Sequence, residues 1–115
     1  MPRRIASVGE EIKNHLGNIF LRELELPAGV LVTITKVQVA PNLIDARVWV
    51  SILPKSQEAK VFKLLKQKTK TFQYFLAADF TSYRVPKLIF RTDHSLEYAS
   101  HIDELIQNLH KEDEQ

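Results

Sequence analysis

A single α+β domain, built on a small mixed three-stranded sheet with helices packed on one face, is the fold that the sequence predicts. The chain has 115 residues, one domain's worth, and 44% are apolar with only three Gly and five Pro, enough for one core. The spacing of the apolar residues switches from helical to alternating and back, giving the order helix, strand, strand, long helical region, strand, helix (α-β-β-α(α)-β-α). The first two strands are joined by a turn and the third follows a helical crossover, so an antiparallel hairpin with a parallel neighbour is expected. The domain is expected to span residues 1–110, with residues 111–115 a short acidic tail.

Ile5, Val8, Ile12, Leu16, Ile19 and Phe20 draw one apolar stripe down a first helix that ends near Leu24. Pro27 and Gly29 break it, and Val30 to Val39 read as a β-branched strand. Apolar positions in that strand are even-numbered through Ile34 and odd-numbered from Val37, the shift that a β-bulge near Thr35-Lys36 produces. After a turn at Pro41 and Asn42, Ile44, Ala46, Val48, Val50 and Ile52 alternate with Asp45, Arg47, Trp49 and Ser51, a strand with one buried face.

Pro54 ends that strand, and Val61, Leu64, Leu65, Phe72, Phe75 and Leu76 resume helical spacing from about Ser56. Counted at 100° per residue from Lys60, this stripe covers about 40° to 160°, and Lys68 falls at about 80°, inside it. An ammonium does not belong there. Thr69 and Thr71 are poor helix formers whose hydroxyls compete for backbone partners, so a break or bend is expected at Lys68-Thr69-Lys70. Val85 and Pro86 close the region, and Lys87 to Thr92 form a short strand. Leu96, Ala99, Ile102, Leu105, Ile106 and Leu109 stripe a final helix, capped by Asp93 or Ser95.

The absence of cysteine removes disulfides and thiolate metal sites. The start Met1-Pro2-Arg3-Arg4-Ile5 runs into Glu10 and Glu11, unlike a secretory signal, and no segment approaches the roughly 20 apolar residues of a membrane span. A cytoplasmic protein without membrane attachment is expected. The four histidines, His15, His94, His101 and His110, share no helix face at ligand spacing. Asp93, His94 and Ser95 are adjacent in sequence, which does not supply the base oriented between nucleophile and acid that a triad needs. Gly9, Gly17 and Gly29 form no phosphate cradle. The expectation is therefore no enzyme, no cofactor and no metal.

Charge is segregated. The net value is +2, but residues 55–91 carry a local +7 and residues 92–115 a local −6, which suggests a polyanion-binding face with the acidic end turned elsewhere. Lys63, Lys66 and Lys70 fall between about 240° and 300° on the wheel, away from the apolar stripe. Lys60, Lys63, Lys66, Lys68 and Lys70 are candidate phosphate contacts, extended by Arg84, Lys87 and Arg91 if the fold brings those alongside. Trp49 shares its strand face with Arg47, so the indole either stacks a base or covers apolar sheet surface.

Several stretches resemble the ribosome-binding factor A family. They are Val32-Thr33-Ile34-Thr35-Lys36-Val37 through Pro41-Asn42-Leu43, Ala46-Arg47-Val48-Trp49-Val50-Ser51, Arg84-Val85-Pro86-Lys87-Leu88-Ile89-Phe90, Asp93-His94-Ser95-Leu96-Glu97 and Ile102-Asp103-Glu104-Leu105-Ile106. The resemblance covers residues 3–109 and implies a KH-like domain of the type II arrangement. It further implies a ribosome assembly factor, expected as a monomer, that binds the small (30S) subunit and its 16S ribosomal RNA during late maturation. Family members usually place an Ala-x-Gly kink where this chain has Lys68-Thr69-Lys70. A protein-interaction adaptor docking through the acidic final helix, or a generic single-stranded RNA-binding module, are the alternatives.

Overall fold

The computed structural model describes residues 5–80 and 85–95; Arg84, the final helix expected from Leu96 and the acidic tail lie outside the described residues. Helix α1 (Ile5–Glu23) buries Val8, Ile12, Leu16 and Ile19, the stripe expected of it. A four-residue turn then reverses the chain: the Val30 amide donates to the Pro27 carbonyl at 3.2 Å, and Gly29 takes φ 82, open to glycine at little cost.

Strand β1 (Leu31–Val39) pairs antiparallel with β2 (Asp45–Leu53), from Leu31 opposite Leu53 to Val39 opposite Ala46. The register shifts between Ile34 and Lys36, leaving Thr35 as the extra residue where the change of parity predicts a bulge. In the hairpin loop the Ile44 amide donates to Asn42 Oδ1 at 3.0 Å, and Leu43 adopts a left-handed φ of 61.

A 3-10 turn (Lys55–Gln57) leads into α2 (Glu58–Gln67), and α3 (Thr69–Asp79) follows after one residue. Lys68 is that residue, with φ −93 and ψ 4, and Thr69 Oγ1 donates to the Leu65 carbonyl at 3.1 Å. The interruption thus forms without glycine, a threonine hydroxyl taking a backbone carbonyl four residues back. Strand β3 (Lys87–Thr92) then pairs parallel with β2, from Asp45 opposite Lys87 to Val50 opposite Thr92, completing the order β1-β2-β3.

All three described helices cover the face that carries Ala46, Val48, Val50, Leu88 and Phe90. Phe20, Phe72 and Phe90, from α1, α3 and β3, meet there with ring centroids 4.9 to 6.2 Å apart. Gln73 of α3 secures the outer edge of the sheet. Its Nε2 donates to the Pro86 carbonyl at 2.8 Å and its Oε1 accepts from the Leu88 amide at 3.1 Å. That amide points away from β2 and would otherwise lack a strand partner.

Candidate nucleic-acid interface

The basic block of the sequence resolves into two surfaces on opposite sides of the domain. On α2, Val61 and Leu65 are buried in the core, and Lys60, Lys63 and Lys66 are exposed on the other side; Lys70 continues the exposed row in the first turn of α3. The Lys66 ammonium lies 5.0 Å from the centroid of the Phe62 ring. All four are exposed, and among the described residues none of them is in an ion pair.

Lys68 does not belong to that row. Its Nζ donates to the backbone carbonyl of Glu23 at 2.6 Å, at the C-terminal end of α1. The last carbonyls of a helix lack amide donors and carry the negative end of its dipole, so a cation there closes an open backbone position. The ammonium expected to face RNA is turned into the fold, because breaking the helix at Lys68 points its side chain at the neighbouring helix end.

Lys87 and Arg91 do not extend the lysine row either. The parallel register sets them on the same face of the sheet as Arg47 and Trp49, turned away from the three described helices. Lys36 joins them there, since the bulge places it opposite Trp49. Sequence reading passed over Lys36, although the parity change that located the bulge also moves this lysine to the outer face. Trp49 itself is half-buried.

Two contacts fix the chain around these surfaces. His94 Nε2 lies 2.5 Å from Glu58 Oε1, tying the segment after β3 to the first turn of α2. Asp93 accepts from Thr35 Oγ1 at 2.6 Å and from the Ser95 amide at 2.9 Å. The second of these is an Asx turn; the final helix that Asp93 is expected to cap lies outside the described residues. The Thr35 hydroxyl above all, with Ser95, holds the carboxyl well below the usual carboxylate range, at about 2. Among the described residues no group of three or more His, Asp or Glu side chains converges as a metal site, and no helix is long and apolar enough to cross a membrane.

The sequence profile of the family described as Ribosome-binding factor A matches residues 4–106. Ribosome-binding factor A of Streptococcus thermophilus is 36% identical over 112 residues, covering 96% of this chain and 96% of its own. The factor from Staphylococcus carnosus is 35% identical over 111 residues, again covering 96% of each chain. The crystal structure of ribosome-binding factor A from Thermus thermophilus superposes with a TM-score of 0.67 at 18% identity, over 78% of this chain and 97% of that one. The Thermus thermophilus factor as fitted into a cryo-electron-microscopy map of its 30S complex gives a TM-score of 0.66 at 21% identity, over 78% and 96% of the two chains. These likenesses identify the fold as an α+β KH-like domain.

Proposed function

Since the chain belongs to the ribosome-binding factor A family, we propose that it is an assembly factor that binds the 16S ribosomal RNA of the small (30S) subunit during late maturation, without catalysing a reaction. The observation that carries this reading is the exposed row Lys60, Lys63, Lys66 and Lys70, free of ion pairs among the described residues and set opposite the buried side of α2. Flexible ammonium groups along one helix follow a phosphate backbone without selecting bases, so this face supplies affinity and orientation. That the Thermus factor has been fitted into a 30S complex supports the same partner here.

Gradient fractionation of a lysate tests the partner: the protein should travel with free small subunits or their precursors and much less with complete ribosomes. Equal association with both subunits, or none with either, would sink the reading. The lysine row has its own test. Replacing Lys63, Lys66 and Lys70 with Ala should lower the slope of log affinity against log salt by roughly two units for unpaired RNA, at about 0.7 per contact. Stability should shift by less than about 0.5 kcal/mol, as is usual at exposed positions. An unchanged slope would exclude this face.

A further inference from the structure

On the face of the sheet turned away from the three described helices, Lys36 stands directly opposite Trp49, and Trp49 directly opposite Arg91, in one row across all three strands. Arg47 lies two residues along β2 on the same face, with Lys87 at its β3 edge. The bulge creates this row. In an unbulged strand Thr35 would pair with Trp49, and Lys36 would turn inward against Val48.

Among the described residues none of Lys36, Arg47, Lys87 and Arg91 is in an ion pair; the acidic groups beside them are Asp45 and Asp93, whose carboxylate is held by the Thr35 hydroxyl. Trp49 between them is half-buried, with its indole Nε1 closed to solvent, so the ring and not the N–H is what the side chain offers. An indole between two cations matches an unpaired nucleotide. The base offers a stacking surface, and its flanking phosphates complement the four positive charges.

We infer that the outer face of the sheet is a second RNA-contact surface, which holds an unpaired base against Trp49 with Lys36 and Arg91 on the adjoining phosphates. The inference rests on the proposed RNA binding and adds to it a base-contacting surface on the side of the molecule opposite α2. The lysine row follows a backbone; the sheet face selects unpaired RNA over duplex.

Trp49 is the chain's only tryptophan, so its emission reports this face directly. The full chain is titrated with a fluorescein-labelled single-stranded RNA of about ten nucleotides, a length within the usual site sizes for such surfaces, and with a duplex of the same sequence. Anisotropy and Trp49 emission are read together. The expected result is quenching that follows the anisotropy curve for the single strand and is absent for the duplex. Trp49→Ala should weaken single-strand binding by about 5- to 100-fold while Trp49→Phe keeps most of the affinity. The double variant Lys36→Ala/Arg91→Ala, which leaves the core untouched, should lower the salt slope by roughly 1.4. Anisotropy that rises while emission stays still overturns the second surface and leaves the lysine row standing. No response in either signal overturns both. Emission that moves with isolated small-subunit proteins and not with RNA assigns the face to a protein partner and likewise overturns the inference.

Discussion

Gly9 and Gly17 lie on the same helix, yet their surroundings are opposite. A Cβ at Gly9 would come 2.8 Å from the Val37 carbonyl oxygen, inside the distance any methyl group tolerates, whereas at Gly17 nothing lies within 4 Å. Alanine in an exposed helix interior gains about 1 kcal/mol over glycine. Gly17→Ala should therefore stabilise the protein by about 0.5–1 kcal/mol. Gly9→Ala has the same gain but must push α1 off the backbone of β1, and overpacking of this kind costs about 1–3 kcal/mol. The expected outcome is a lower urea midpoint for Gly9→Ala and a higher one for Gly17→Ala; equal midpoints would mean that helix and strand do not touch at Gly9.

At the level of elements, the junction between α2 and α3 joins two effects in one residue. The break lets the two buried stripes, Val61 with Leu65 and Phe72 with Leu76, follow separate axes, and it delivers the Lys68 ammonium to the end of α1. Hydrogen bonds to charged groups contribute about 1.5–3 kcal/mol, offset here by partial desolvation of the ammonium. Lys68→Ala should accordingly lower stability by about 1–2 kcal/mol and leave RNA affinity unchanged within about twofold. Urea unfolding and RNA titration of the same preparation check both; lost affinity at unchanged stability would return Lys68 to the binding surface.

The break and the bulge were legible in the sequence because each disturbs a period: Lys68 interrupts a helical stripe, and Val37 follows Ile34 on the wrong parity. The partner of Lys68 was not legible, since Glu23 lies 45 residues away and offers only a backbone carbonyl, which no side-chain pattern announces. The same holds for Gln73, whose two bonds to Pro86 and Leu88 serve a strand edge that exists only after the sheet is assembled. Charge counting located the basic block but merged its two faces. Separating Lys87 and Arg91 from the α2 lysines requires the parallel register of β3, a tertiary fact.

For the molecule as a whole, Asp93 joins the first strand to the end of the last. Its carboxylate accepts from Thr35 across β2, and its folded pKa of about 2 lies below the ordinary 3.8. A carboxyl lowered by folding adds stability that is present above the unfolded pKa and is lost as pH falls through the folded one. Stability should therefore decline between about pH 4 and pH 2 through this group, and Asp93→Asn should flatten that part of the profile. Thermal unfolding at closely spaced pH values in that window checks it; identical profiles for the two proteins would show that the Thr35 bond contributes nothing in solution.

The parallel pairing of β2 with β3 also orders events in time. The hairpin of β1 and β2 closes over a five-residue loop, but Asp45 meets Lys87 only after α2 and α3 have been laid down between them. Contacts so distant along the chain form late, because the entropy of closing the intervening segment must be overcome before any of them is gained. During synthesis the lysine row on α2 emerges with its own helix, whereas the row Lys36-Trp49-Arg91 stays incomplete until the last strand docks. A partly folded chain can thus attract phosphate but cannot present Trp49 between its two cations. A row shared by all three strands exists only once the sheet has closed, whereas the α2 row needs nothing beyond its own helix.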